Sequence, residues 1–238
     1  MAPGRRDDPA AADPWRSQAA EAARRLAAAG GAPTRRGLGC ARPVRISSIC
    51  VYCGSSPGRL PAYVEAARAL AAALARRKIR LVYGGGRVGI MGALADAALA
   101  AGCSVTGVIP RALAVKEVAH DGLPELIVTE SMHARKTIMA ERSDACIALP
   151  GGIGTLEELF EAWTWTQLGF QRKPCGLLNV AGYFDGLIGF IDHSVAEGYL
   201  REAHRDILVV GTDPEALLDR LEHFEPPPVP KWLASGDT

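Results

Sequence analysis

The chain has 238 residues, 48% of them hydrophobic, and a formal net charge of +1, so it can bury a large core in one main domain. A near-neutral balance excludes the basic footprint of a nucleic-acid binder and the polybasic patch of a membrane-surface protein. No apolar run approaches the roughly 20 residues a membrane-spanning helix needs, and Asp7, Asp8, Asp13, Arg16 and Glu21 break up any signal-peptide block, so a cytoplasmic protein is expected.

In chain order, residues 1–43 are rich in Ala, Arg, Gly and Pro and read as a disordered or loosely docked tail, with at most a weak helix over 15–29. The folded domain is expected over 44–225, with a second tail at 226–238. Apolar runs predict strands at 46–52, 80–83, 104–109, 126–129, 145–149, 175–180 and 207–210. Helical spacing predicts helices at 61–77, 89–101, 131–142, 155–168, 183–196 and 213–221, the last opened by Asp213 with Pro214 at its first position. Continuous apolar strands alternating with helices imply a parallel sheet covered on both faces, a doubly wound, Rossmann-like α/β fold. Ligands in such folds sit at the carboxyl ends of the strands. Three glycine-rich turns fall there: Gly54-Ser55-Ser56, Gly84-Gly85-Gly86, and the stretch from Pro150 to Thr155.

Two motifs point toward other chemistries and lack the parts these need. Gly84-Gly85-Gly86-Arg87-Val88-Gly89 fits the dinucleotide pattern, but the next strand, 104–109, ends without the acidic residue that would hold a ribose. A tight turn with close helix–strand packing explains the glycines, and a smaller nucleotide remains compatible. Cys50 and Cys53 form a CxxC within a strand, where residues three apart face opposite sides. No second CxxC or His pair completes a zinc site, so the six cysteines read as reduced, mostly buried residues, and neither a metal nor a cofactor is called for.

The most informative stretch is Pro150-Gly151-Gly152-Ile153-Gly154-Thr155-Leu156-Glu157-Glu158. It reads as a strand end, a glycine turn and a helix opened by Thr155, a junction whose free amides and helix dipole suit a phosphate. Glu158 has two readings: a carboxylate working beside the bound phosphate, or the far half of a Thr155-x-x-Glu158 capping box. Met132-His133-Ala134-Arg135-Lys136 places two cations early in a helix, where the dipole disfavours them. An anionic ligand at the adjacent strand end would account for Arg135. Trp163, Trp165 and Phe170 read as core or interface aromatics.

These stretches together resemble the Lonely Guy family, the cytokinin-activating phosphoribohydrolases. Residues 150–158 match its PGGxGTxxE signature and 132–136 its second motif; 51–56, 83–86 and 163–169 also follow the family pattern, and the likeness spans 45–221. The resemblance implies hydrolysis of the N-glycosidic bond of a cytokinin riboside 5′-monophosphate, and of AMP, to free base and ribose 5-phosphate. It implies Arg135 and Glu158 as the catalytic pair. It further implies nucleotide contacts from Gly54, Ser55, Gly85, Gly86, Glu117, Lys136, Gly151, Gly152, Ile153, Gly154, Thr155, Leu156, Glu157 and Thr164, and a homodimer. Relatives also carry a lysine decarboxylase label, which this sequence does not support because no pyridoxal-phosphate lysine site is evident. The alternatives are a general purine or pyrimidine nucleotide nucleosidase and a non-enzymatic nucleotide or molybdenum-cofactor carrier of the same fold.

Overall fold

The structure, a computed structural model, describes residues 45–114 and 119–226. The expected tail over 1–43, the segment 227–238, Cys40 and Glu117 lie outside the described residues.

Among the described residues seven strands form one sheet: β1 (Ser48–Tyr52), β2 (Arg80–Tyr83), β3 (Val105–Pro110), β4 (Glu125–Thr129), β5 (Ala145–Ala148), β6 (Cys175–Leu178) and β7 (Leu208–Gly211). The order is β4-β3-β2-β1-β5-β6-β7 and every pairing is parallel. The connecting helices are α1 (Pro61–Arg77), α2 (Gly89–Ala100), α3 (Arg111–Ala114), α4 (Met132–Glu141), α5 (Ile153–Leu168), α6 (Asp185–Ala196), α7 (Glu202–Arg205) and α8 (Pro214–Glu222). This is the doubly wound α/β fold that the alternating pattern predicts. β1, β3, β5 and β6 are buried at every position, as strands covered on both faces must be. Among the described residues no helix is long and apolar enough to cross a membrane.

The chain starts at β1, builds outward to β4, then returns to the other side of β1 with β5. The order therefore reverses between β1 and β5, the switch point outside whose carboxyl strand ends ligands of such sheets bind. The alignment of these two strands is set at the opposite end by Asp144, just before β5. One carboxylate oxygen of Asp144 accepts from the amides of Ser47 and Ser48 at 2.9 and 3.0 Å and from their hydroxyls at 2.7 and 3.0 Å. The Asp144 amide returns a bond to the Ser48 carbonyl at 2.9 Å.

Helix ends follow local chemistry in two places. Asp213 accepts from the Ala216 amide at 2.9 Å and Pro214 opens α8, as predicted. Ser131 caps α4 by accepting from Ala134. Elsewhere the structure departs from expectation. α5 begins at Ile153, two residues before Thr155, because Gly152 takes the extended cap position. The strand predicted over 175–180 stops at Leu178, where Asn179 leads into a 3-10 turn, Val180–Gly182. The short helices α3 and α7 are single turns, too brief to leave a periodic signal.

Partial burial raises the Asp144 carboxyl, but the four bonds from Ser47 and Ser48 outweigh it and hold the group below its ordinary value of 3.8. A depressed folded value gives stability that is present above 3.8 and lost as pH falls through the folded value. Asp144→Ala is expected to lower the unfolding free energy near pH 7 by about 2 kcal/mol, with the gap to wild type shrinking in acid. Urea denaturation at several pH values measures both; an equal deficit at all pH values would contradict this account.

Candidate active site

α4 and α5 pack beside the sheet and each contributes one charged, buried side chain. Arg135 lies one turn into α4, and only 9% of it is exposed. Glu158 lies in the second turn of α5 and is 7% exposed. Nη1 of Arg135 donates to Oε1 of Glu158 at 2.8 Å, and Nε donates to the Val108 carbonyl of β3 at 3.1 Å. The remaining nitrogen, Nη2, lies against Gly84 at the end of β2, where any Cβ would collide with it. Gly84 therefore leaves the space that the guanidinium fills. The Thr155–Glu158 capping box does not form: Thr155 sits inside α5, and Glu158 is held by Arg135.

Burial raises the Glu158 carboxyl above the ordinary glutamate value of 4.5; Arg135 opposes this, and Glu157 adds to it. Burial together with one defined charge partner perturbs carboxyls at functional sites and in structural ion pairs alike, which makes Glu158 a candidate for chemistry.

Beside this pair the glycine turn is held from within. The Pro150 carbonyl accepts from the Gly54 amide at 3.1 Å, the Gly151 carbonyl from the Tyr183 hydroxyl at 2.5 Å, and the Gly152 carbonyl from the Leu156 amide at 3.2 Å. Three successive acceptors thus face the protein. The amides of Gly152, Ile153, Gly154 and Thr155 have no partner among the described residues, and nothing lies within 4 Å of where a Cβ would stand on Gly152 or Gly154. Ile153 is 83% exposed at this helix start. Open space, unpaired amides and a positive helix end suit an anion.

The neighbouring loops are in contact. Gly151 is packed so closely on Gly54 and on the Thr155 hydroxyl that neither Gly54 nor Gly151 has room to spare for a side chain. The Gly54 carbonyl accepts from the amides of Ile90 and Met91 at 3.1 and 3.3 Å, and Gly89, at a φ of +64°, lies on the Ser55–Ser56 backbone. Ser55 itself is exposed at the rim. Gly85, at a φ of +74°, and Gly86 are buried; the Gly85 carbonyl accepts from His120 and Gly86 pairs with Ala119 in an isolated bridge. These glycines anchor the segment that follows residues 115–118.

Of the other expected contacts, Lys136 is bound to Glu157 at 2.5 Å and to Glu161 at 3.0 Å, which ties α4 to α5. Leu156 packs against the core. Thr164 is exposed, about two turns along α5 from Glu157 and on the same face. Trp163 is buried and donates its indole N–H to the His204 carbonyl at 2.8 Å, so it is a core aromatic; Phe170 is 50% exposed. The five cysteines among the described residues are free and buried. Cys50, Cys146 and Cys175 stand opposite one another across β1, β5 and β6. Sequence reasoning missed Gly84 as the space for Arg135, and it missed Tyr183, which it read as an ordinary helix residue.

This geometry defines a Rossmann-like protein with a glycine turn whose unpaired amides face open space and a buried Arg–Glu pair beside it. A family model described as "Possible lysine decarboxylase" matches residues 91–221. A cytokinin riboside 5′-monophosphate phosphoribohydrolase of Arabidopsis thaliana is 49% identical over 182 residues, covering 76% of this chain and 84% of that one. One of Rhodococcoides fascians, with the same activity in its name, is 50% identical over 179 residues, covering 75% and 90%. The chain belongs to the Lonely Guy family of cytokinin riboside 5′-monophosphate phosphoribohydrolases. Among solved structures, a molybdenum cofactor binding protein from Rippkaea orientalis superposes with a TM-score of 0.57 at 24% identity, over 75% of this chain and 97% of that one. A molybdenum cofactor carrier protein from Chlamydomonas reinhardtii gives 0.57 at 22% identity, over 76% and 100%. At that identity the likeness establishes the shared fold.

The contact at Gly84 makes the pair separable by one methyl group. Gly84→Ala should push the flexible end of Arg135 off Glu158 without unfolding the chain. Because Arg135 lowers the Glu158 carboxyl, its displacement removes that opposition. In carbon-13 NMR titrations the carboxyl is expected to titrate above 4.5 in the wild type and higher again in Gly84→Ala. An unchanged titration would mean that Arg135 does not act on Glu158 in solution.

Proposed function

We propose that the chain hydrolyses the N-glycosidic bond of cytokinin riboside 5′-monophosphates, releasing the free base and ribose 5-phosphate. The observation that carries this reading is the placement of Glu158, buried and paired, on the same helix whose N-terminus offers unpaired amides. Relatives at 49% and 50% identity bear the name of this activity.

The phosphate docks on the amides of residues 152–155, and binding energy from this remote group positions the sugar. Helical side chains lean toward the N-terminus and the helix rises about 1.5 Å per residue, so Glu158 reaches back toward a ribose held at its start. Cleavage of the bond between C1′ and the base nitrogen builds positive charge on the ribose ring, which an ionised carboxylate stabilises. Water adds to C1′ and gives its proton to Glu158. The electron pair of the broken bond leaves with the base, which takes up a proton from solvent. Arg135 keeps Glu158 ionised and aimed, and its cation lies near the departing base.

The same reading takes 44–225 as the catalytic domain, in a cytoplasmic homodimer. Thr164 supports the dimer: it stands on the exposed face of α5 with Phe160 and Leu168, which are 37% and 41% exposed, about two turns from its own site.

Glu158→Gln keeps the size of the side chain and its bond to Arg135 but removes the charge. It should lower kcat by roughly a hundredfold or more, in the range expected of a positioned acid–base group, while AMP binding by calorimetry stays within about threefold. Near-normal turnover would overturn the assignment. Wild-type hydrolysis of isopentenyladenosine monophosphate compared with AMP, with ribose 5-phosphate as the detected product, separates a cytokinin enzyme from a general nucleosidase; product from neither substrate would exclude both.

A further inference from the structure

The Gly151–Gly152 peptide is clamped by a residue that does not belong to the loop. Tyr183 follows the 3-10 turn after β6, 32 residues downstream, and its hydroxyl donates to the Gly151 carbonyl at 2.5 Å. We propose that Tyr183 is a positioning residue for phosphate: by fixing the Gly151 carbonyl inward it points the Gly152 amide outward at the anion. This rests on the phosphate-loop reading above and adds to it a residue outside the signature sequence.

In a trans peptide the C=O of one residue and the N–H of the next point in opposite directions, and there is no cis peptide among the described residues. Whatever holds the Gly151 oxygen therefore aims the Gly152 N–H. Glycine on both sides makes this peptide easy to rotate, since neither residue has a Cβ to oppose the turn. If it flipped, a carbonyl oxygen would replace an amide at the anion site and repel the ligand. The carbonyls on either side are fixed by backbone amides, those of Gly54 and Leu156. The Gly151 carbonyl alone of these three depends on a side chain.

Tyr183 is itself rigidly placed. Its ring meets the Tyr63 ring edge-on at 5.6 Å and the Phe184 ring at 4.8 Å. The turn before it contains Ala181 at a φ of +50° and Gly182 at +71°, a left-handed pair that costs free energy and persists only where the surroundings enforce it. Asn179, 9% exposed, supplies that enforcement: its oxygen accepts from the Phe184 amide at 2.9 Å and its nitrogen donates to Asp185 at 2.7 Å. Strain at this turn is explained by the need to bring one hydroxyl over one carbonyl. Tyr183 is 44% exposed, so core packing alone does not account for its placement.

Tyr183→Phe removes the hydroxyl and keeps the ring contacts. Ribose 5-phosphate binding by calorimetry is expected to weaken by roughly five- to tenfold, the worth of one good hydrogen bond. KM for AMP should rise by the same factor, with kcat within about twofold and the melting temperature nearly unchanged. A merely structural tyrosine would move the melting temperature and leave this split absent. Wild-type affinity and KM in the folded variant would overturn the proposal, and so would a fall in kcat at constant KM. If the wild type itself does not bind ribose 5-phosphate, the phosphate-loop reading fails first and the Tyr183 assignment falls with it.

Discussion

A carboxylate buried to the extent of Glu158 must have a partner, because an isolated charge out of water costs far more than a fold can spare. That partner is Arg135, and holding Arg135 requires something from most of the molecule. β3 supplies the Val108 carbonyl, the end of β2 supplies the empty space at Gly84, and Ser131 caps the helix that carries the guanidinium. The pair bridges α4 and α5, and Lys136 with Glu157 and Glu161 repeats the bridge on the outer side. Breaking such a pair from one side strands a charge and is expensive, whereas a matched pair of this kind adds little net stability. Its value is the fixed position and protonation state of one carboxyl.

The second constraint is the direction of three carbonyls. Gly54, Tyr183 and Leu156 each engage one, and the amides of the turn are left facing open space. The strand order makes this possible, since the reversal between β1 and β5 lets the loops after them lie in contact without a strand between. Charge complementarity therefore has two parts at one helix: a donor-only surface at its tip and, farther in, a buried carboxylate held by Arg135. A ligand with an anion at one end and a developing cation at the other fits both.

Much of this was legible in the sequence, where the determinants are local. The buried strands are unbroken apolar runs, and Asp213-Pro214 signals a helix start that the structure reproduces. The glycine loops and the two charged residues could be singled out from their spacing. What could not be read is what contacts decide over distance. Thr155 and Glu158 satisfy a local capping pattern, yet Gly152 opens the helix and Arg135, 23 residues upstream, takes the carboxylate. Gly84 and Arg135 meet across three elements, and the Tyr183 hydroxyl finds a carbonyl in another loop. Thr164 carries no local sign of the exposed face on which it stands.

The most direct measurement is a crystal structure of Glu158→Gln with AMP bound. Phosphate oxygens are expected within hydrogen-bonding distance, about 3 Å, of the amides of residues 152–155, with C1′ facing the side chain at 158. A phosphate bound elsewhere, or a ribose turned away from residue 158 while the amides stay empty, would contradict it.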